Sequence, residues 1–224
     1  MKLLARATAI SCDGTFRMCP KLWWQLFIVC GEISDGIWLP LAFGYLPNKK
    51  KETYRSFFTQ LKDAMSRIDD GLELSAQYVM IDFEFSIRST FKEIWPYIPV
   101  KGCHFHMAKA IWKRVVDAGL KSAYSERGND KLGALIVCAI GMAYVPLESH
   151  NVVGNNSLKD AYHIMKQIAK QLPKGKQYQF GKSFLKYFKD TWMLEDGNFP
   201  PTEWNFFLHK GATTNNFNEG YNNR

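Results

Sequence analysis

Three apolar, strand-forming runs crowd into the stretch that ends at Leu46, and the gaps between them leave no room for a helical crossover. They cover residues 7–12, 22–31 ("LWWQLFIVCG") and 37–46 ("IWLPLAFGYL"), with a turn at "SDG" (34–36) before the third. Parallel neighbours need a connection of about a dozen residues or more, so runs this close predict an antiparallel meander. Pro40 lies inside the third run and lacks an amide hydrogen for a ladder. It therefore assigns that strand to a sheet edge or to a bulge.

The hydrophobic period then changes. Tyr54, Phe57, Phe58, Leu61, Met65 and Ile68 are spaced for one face of a helix, with Asn48 as a candidate cap. Residues 76–82 ("AQYVMID") predict a buried strand, about 84–94 a short helix, and 98–105 ("IPVKGCHF") a fifth strand. Ala108, Ile111, Trp112, Val115 and Gly119 mark a further helix. Strand–helix–strand connections within one sheet are right-handed, and they set the fourth and fifth strands parallel to the first. The result is an α/β fold with a five-stranded mixed sheet in the order 3-2-1-4-5. From about residue 125 the strand signal ends. Helical stripes follow at Leu132, Leu135, Ile136, Ala139 and Met142, at Leu158, Ala161, Tyr162, Met165, Ile168 and Leu172, and at Phe180, Phe184, Tyr187 and Phe188. The expected organisation is a core over 1–123, an all-helical insertion over 124–203, and a return to the core over 204–224.

Composition narrows the class. Hydrophobic residues make up 46% of the chain and aromatic residues 15%. That suits a packed chain rather than a disordered one. The net charge of +8 favours a polyanionic partner. Five cysteines, odd in number and scattered, do not make a disulfide framework, so a reducing compartment is expected. The sequence has no apolar run of about 18 residues, so no membrane span is expected. "MKLLARATAIS" is broken by Arg6 and leads into the first strand, which argues against a signal peptide.

Two aspartates stand at the ends of strand-like runs: Asp13 in "SCDGTF" and Asp82 in "YVMIDFE". On neighbouring parallel strands, both carboxylates would emerge at one edge of the sheet. Glu219 in "TTNNFNEGYN", carried by a late helix, could complete a three-carboxylate site. Such sites hold hard divalent cations, and a pair of cations about 3.5–4 Å apart supports phosphodiester chemistry. Each residue also has a plainer role. Asp13-Gly14 is a common turn pair, and Glu219 could merely complement a helix dipole behind an Asn215 or Asn216 cap. Asp82, ending a buried run, is costly unless solvated or paired. Glu84, two residues on, could assist.

Cys103, His104 and His106 suggest zinc, but a structural site needs four ligands and no second pair lies nearby, so no zinc is expected. "FGKS" (180–183) has Lys176 where a phosphate loop needs glycine, and is rejected. "NKKKE" is too short for a localisation signal. Lysines are more informative. Lys159, Lys166, Lys170, Lys174, Lys176, Lys182, Lys186 and Lys189 fall in the stretch 159–189, where Asp160 is the one acid. Eight lysines against one aspartate give this stretch +7 of the net charge. That is not the alternating pattern of a solvent-facing helix, and it favours a phosphate-tracking surface.

Several motifs together resemble one family. "DGTF", "LPLAFGYLPNKKKETY", "IDFE", "KGCHFHMAKA" and "TNNFNEGYNN", in this order, are similar to the Mutator-like (MULE) transposases, whose catalytic core is ribonuclease H-like. The resemblance implies DNA strand cleavage and 3′-hydroxyl strand transfer with two Mg²⁺ or Mn²⁺ ions. It makes Asp13, Asp82 and Glu219 the metal-holding acids, with Cys103 and His106 as the family's Cys-x-x-His element. It implies DNA as partner, self-association, no small-molecule substrate and a nuclear location. The long interval from Asp82 to Glu219 matches a core interrupted by an insertion. The chain starts twelve residues before Asp13 and ends five after Glu219. A catalytic-core fragment with weak or no activity is therefore expected. The alternative is an inactive transposon remnant or a domesticated DNA-binding protein of the same fold.

Overall fold

The computed structural model describes residues 1–125, 130–148 and 157–215. It divides into two compact units. One is Met1–Cys103 with the segment that begins at Gly211, and the other is His104–Lys210.

The first unit carries the sheet. After a short helix α1 (Lys2–Ala5) come β1 (Ala9–Thr15), β2 (Gln25–Ser34) and β3 (Ile37–Leu46), antiparallel in sequence, as the short connections require. Helix α2 (Lys51–Ser66) leads to β4 (Val79–Ile81), and helix α3 (Phe85–Ile94) to β5 (Val100–Gly102). β4 runs parallel to β1 and β5 parallel to β4, and the order is β3-β2-β1-β4-β5. This is the mixed sheet of the ribonuclease H-like fold. Pro40 lies on the edge strand and also at a bulge: Val29 pairs with Ala42 but Cys30 pairs with Pro40, so Leu41 is the extra residue.

Period-two alternation sorts each strand's side chains. Ile10 and Cys12 of β1, Phe27 and Val29 of β2, Val79 and Ile81 of β4 and Val100 of β5 join one core with Tyr54, Phe58, Leu61 and Met65 of α2 and Ile87 and Phe91 of α3. Phe58 is its centre, with ring centroids 5.5 Å from Phe91, 5.7 Å from Trp95 and 6.0 Å from Phe27. Outside it, Arg55 and Lys51 of α2 clamp Glu93 of α3. The hydrogen bonds from Arg55 first, and then from Lys51, hold the Glu93 carboxyl down at about 2.

Strand lengths and one helix cap depart from the sequence expectation. The strand ladder of β5 covers only Val100–Gly102 of the expected 98–105, and a helix starts at His104. β4 is equally short, so β5 has little edge to pair with. Asn48 is not the residue immediately before α2. Its Oδ1 accepts from the Lys50 amide at 2.9 Å and the Thr53 hydroxyl at 2.7 Å, and so braces the first turn from outside.

The second unit is helical in its described residues: α4 (His104–Asp117), α5 (Lys121–Ser125), α6 (Asp130–Gly141), α7 (Leu158–Lys170), α8 (Lys176–Phe188) and α9 (Pro201–Trp204). α6 packs against both α4 and α7, and α7 against α8. Its core includes Met107, Ile111, Leu135, Met165, Phe184, Phe188, Trp192 and Trp204, all buried. The Trp204 indole donates to the Trp192 carbonyl at 2.9 Å. α4 thus belongs with the helical unit. The compact units divide at 103/104 and 210/211, whereas the sequence reading drew lines at 123/124 and 203/204. Among the described residues no helix is long and apolar enough to cross a membrane.

Phe58 is 1% exposed and meets the rings of Phe27, Phe57, Phe91 and Trp95. Phe58→Ala should therefore lower the unfolding free energy by about 3–5 kcal/mol in urea titrations. A loss below about 1 kcal/mol would show that the ring cluster is not the centre of this core.

Candidate active site

The register of β1 against β4 sets the site. Ile10 pairs with Val79 and Ser11 with Met80. Two further steps along each chain bring Asp13 level with Asp82. Neighbouring strands lie about 4.8 Å apart, so the two carboxylates start from adjacent backbone positions. They also share a face. Ile10 and Cys12 point into the core, which leaves Ser11 and Asp13 on the opposite side. Met80 and Asp82 continue the same alternation beyond Val79 and Ile81.

Asp13 is inside β1, paired with Ile28, and not in a turn. It is 9% exposed, and its Oδ1 accepts the Gly14 amide at 2.7 Å. Gly14 is required by a close approach. A Cβ there would collide with Oε1 of Gln25, whose fully buried side chain donates from Nε2 to the Tyr54 hydroxyl at 2.9 Å. Burial pushes the Tyr54 hydroxyl well above its ordinary range. The Gln25 hydrogen bond opposes this, and the charges of Glu84 and Asp82 add to it. Burial likewise drives the Cys30 thiol up to about 12, with a smaller push from the Asp13 charge.

Asp82 follows directly on β4 and is half-buried. Its Oδ1 accepts from Nδ2 of Asn215 at 3.2 Å. Asn215 is fully buried, and its Oδ1 accepts the Cys103 thiol at 2.9 Å while its own amide nitrogen donates back to Cys103 Sγ at 3.4 Å. The segment before it is anchored further down the same strand. The Ala212 amide donates to the Tyr78 hydroxyl at 3.1 Å. Gly211 permits this approach, since its φ is +124° and a Cβ would lie 2.5 Å from the Tyr78 oxygen. The chain returning at 211–215 is therefore pinned at Tyr78 and again at Asp82.

The other sequence candidates are placed as follows. Glu84 precedes α3 and pairs with Lys49 Nζ at 2.7 Å, and its charge, like that of Asp82, acts on the Tyr54 hydroxyl. Glu219 lies outside the described residues. His106 is half-buried in the first turn of α4, within the helical unit. His104 belongs to that unit too, with Nε2 3.2 Å from the Ile140 carbonyl. Among the described residues, no three His, Cys, Asp or Glu side chains form a group able to hold a metal.

Lys159, Lys166, Lys170, Lys174, Lys176, Lys182, Lys186 and Lys189 are all exposed. Lys166, Lys170 and Lys182 line a groove of about 340 Å³ between α7 and α8, with Tyr162 and Tyr178 in its wall. Lys166 Nζ sits 4.7 Å from the Tyr162 ring centroid, and Lys174 and Lys182 flank Tyr178 at 4.4 and 4.5 Å. Lys176 is committed elsewhere, donating to the Gly119 carbonyl at 3.3 Å.

Sequence reasoning missed Asn215, Gln25, Tyr54 and Lys49. Asn215 was readable only as a helix cap, because its partners lie 112 and 133 positions away. Gln25 offered one signal, a polar residue within an otherwise apolar run.

Residues 9–110, just under half of the chain, fit the family model of the MULE transposase domain. No curated protein matches the chain.

Gly14→Ala should displace Gln25. It should cost about 1–3 kcal/mol, the usual range for forcing a methyl into a packed site. The cost should shrink when Gln25→Ala is already present. Equal costs in both backgrounds, measured as a double-mutant cycle in denaturant, would show that Gln25 is not what requires glycine at 14.

Proposed function

With a MULE transposase domain at residues 9–110 as the premise, we propose that the chain is the catalytic domain of a DNA transposase, cutting DNA strands by hydrolysis and joining a 3′-hydroxyl to target DNA. The observation that carries this reading is the level placement of Asp13 and Asp82 on adjacent parallel strands, on one face and at one edge.

The donor set fits hard divalent cations. Two carboxylates from neighbouring strands supply oxygen ligands, and the nearby thiol of Cys103 is engaged with Asn215. Mg²⁺ or Mn²⁺ in such a site supplies an activated nucleophile and a stabilised leaving oxygen in phosphodiester cleavage. Asp13 and Asp82 would hold the ions, and Glu219 would complete the set. The chain at Asn215 is fastened to Asp82. Glu219 is four positions further along the sequence, a short reach for a chain that spans up to about 3.3–3.6 Å per residue. Asp13 is fixed within the long β1–β2 ladder, which would hold its carboxylate in place for an ion. Glu84, held by Lys49, acts at the margin, and His106 stays a motif residue with no assigned step.

DNA is the proposed partner. Lys166, Lys170 and Lys182 of the α7–α8 groove would follow the phosphates, with Lys174, Lys186 and Lys189 extending the surface. Self-association and a nuclear location belong to this reading as well. A second reading is a DNA-binding protein of the same fold without catalysis. What favours it is the exposed lysine surface along α7 and α8, which can meet phosphates without any metal.

Mn²⁺ titration calorimetry decides between them. Asp13→Asn and Asp82→Asn should each weaken binding at least about tenfold, the low end of what disturbing a metal site costs, and abolish Mn²⁺-dependent nicking of plasmid DNA. Affinity unchanged in Asp82→Asn would reject the catalytic reading. Separately, replacing Lys166, Lys170 and Lys182 by Gln should flatten the log–log salt dependence of duplex binding by about 2–3 units, at about 0.9 per phosphate contact. An unchanged slope in anisotropy measurements would return these lysines to an ordinary solvated face.

A further inference from the structure

The geometry points to Asn215 as the positioning residue for Asp82, with the Cys103 thiol as the lock that fixes which way the Asn215 amide faces. This rests on the reading of Asp82 as a metal-holding carboxylate.

Donors and acceptors fix the orientation. An ionised carboxylate only accepts, so the end of the Asn215 side chain that meets Asp82 must be the NH₂ group. Nδ2 lies 3.2 Å from Asp82 Oδ1. The amide oxygen must then face the other way, toward Cys103 at 2.9 Å, where it needs a donor. A thiol supplies one. The same sulfur is also an acceptor, and it takes the backbone N–H of Asn215 at 3.4 Å. Cys103 and Asn215 therefore exchange two hydrogen bonds that agree in direction. Turning the amide over would set its oxygen against the carboxylate, and would make Sγ accept from the NH₂ while it already takes the Asn215 backbone N–H. The S–H would then be left without the amide oxygen as its acceptor.

Burial makes this decisive. Asn215 and Cys103 are both fully buried, so water cannot replace a missing partner. An unsatisfied buried polar group carries its full desolvation penalty. The backbone holds the lock in place from two sides. The Cys103 amide donates to the Ile81 carbonyl at 2.8 Å, one residue before Asp82, and so ties the sulfur-bearing residue to the strand that carries the acid. The Ala212–Tyr78 bond fixes the approach of the segment bearing Asn215.

The arrangement resembles the outer partners of metal-bound ligands in general, which orient a carboxylate rather than touch the ion, and whose loss typically costs about 10–100-fold in affinity. It also gives Cys103 a role that needs neither thiolate chemistry nor a zinc ion. Its contribution is a single donor and a single acceptor on a side chain small enough to sit beside Asn215. Serine has the same pair of functions.

The test uses the full chain and reads Mn²⁺ affinity by calorimetry, alongside the thermal midpoint of the metal-free protein. Asn215→Leu, which keeps the number of side-chain heavy atoms and removes the amide, should weaken Mn²⁺ binding about 10–100-fold. Cys103→Ala should weaken it in the same direction, and Cys103→Ser should restore it to within a few fold of the parent. That ordering is what a merely packing role would not give, because alanine and serine are close in size. If Asn215→Leu does not fold, the Cys103→Ala and Cys103→Ser pair still decides. Mn²⁺ binding that is lost in Asp82→Asn but unchanged in Asn215→Leu, or equally weakened in Cys103→Ser and Cys103→Ala, would overturn the inference while leaving the site reading in place. No Mn²⁺ binding at all by the parent chain, or binding indifferent to Asp82→Asn, would overturn both.

Discussion

The pairing of β1 with β4 is the constraint on which the carboxylate edge depends. Two residue pairs define it, Ile10 with Val79 and Ser11 with Met80. A slip of one residue would turn every β4 side chain to the opposite face. Val79 and Ile81 would leave the core, and Asp82 would be driven toward it. Burying an unpaired carboxylate and exposing two β-branched side chains both act against the slip, so the core and the site enforce the same register. The much longer β1–β2 ladder, which runs from Ala9 to Thr15, fixes the partner strand against which β4 must align.

The two faces of the sheet at this edge solve different problems. On the core face, rings from α2 and α3 fill the volume, and at its margin the buried amide of Gln25 donates to Tyr54. On the other face the polar groups are dense: Ser11, Asp13, Cys30, Asp82, Cys103 and Asn215. Such a face is stable only when its members satisfy one another, which makes each of them sensitive to its neighbours. The returning segment at 211–215 is what completes it. A sheet built from residues 1–103 alone would leave Tyr78 without the Ala212 amide, and Asp82 and Cys103 without Asn215.

What could be read from the sequence was whatever local pattern controls. Connection lengths dictated the meander and the two crossovers, and the apolar runs ahead of Asp13 and Asp82 pointed to neighbouring strands, although Asp13 lies inside β1 rather than at its end. Proline chemistry located Pro40 at an edge, where the structure also puts a bulge. Strand length was less legible. The apolar run "IPVKGCHF" is bounded by what β4 can pair with, not by its own propensity, and His104 already belongs to a helix. Asp13-Gly14 carries a turn signal that long-range packing overrides, because Gln25 on the neighbouring strand occupies the place of a side chain at 14. Asn215 was illegible for a different reason. Its hydrogen bonds join residues more than a hundred positions apart, and no spacing rule encodes them.

The lysine-rich stretch shows how local satisfaction and net charge part company. Its one acid, Asp160, closes a capping box at the start of α7, where Oδ2 accepts the Ser157 amide at 3.0 Å and its hydroxyl at 2.7 Å. That carboxylate is thereby committed to the helix terminus rather than to a cation. Lys166 and Lys170 stand four apart on α7, and Lys182 and Lys186 four apart on α8. At that spacing like charges repel by about 0.2–0.5 kcal/mol per pair. Tyr162 and Tyr178 present ring faces to Lys166 and Lys182. Each such contact, at about 0.5–1 kcal/mol for an exposed cation, is enough to offset one like-charge pair. What remains is the stretch's net charge of +7, from eight lysines against one aspartate. A polyanion is the kind of ligand whose binding relieves it, because each phosphate that pairs with a lysine screens that charge from its neighbours as well as releasing a counterion.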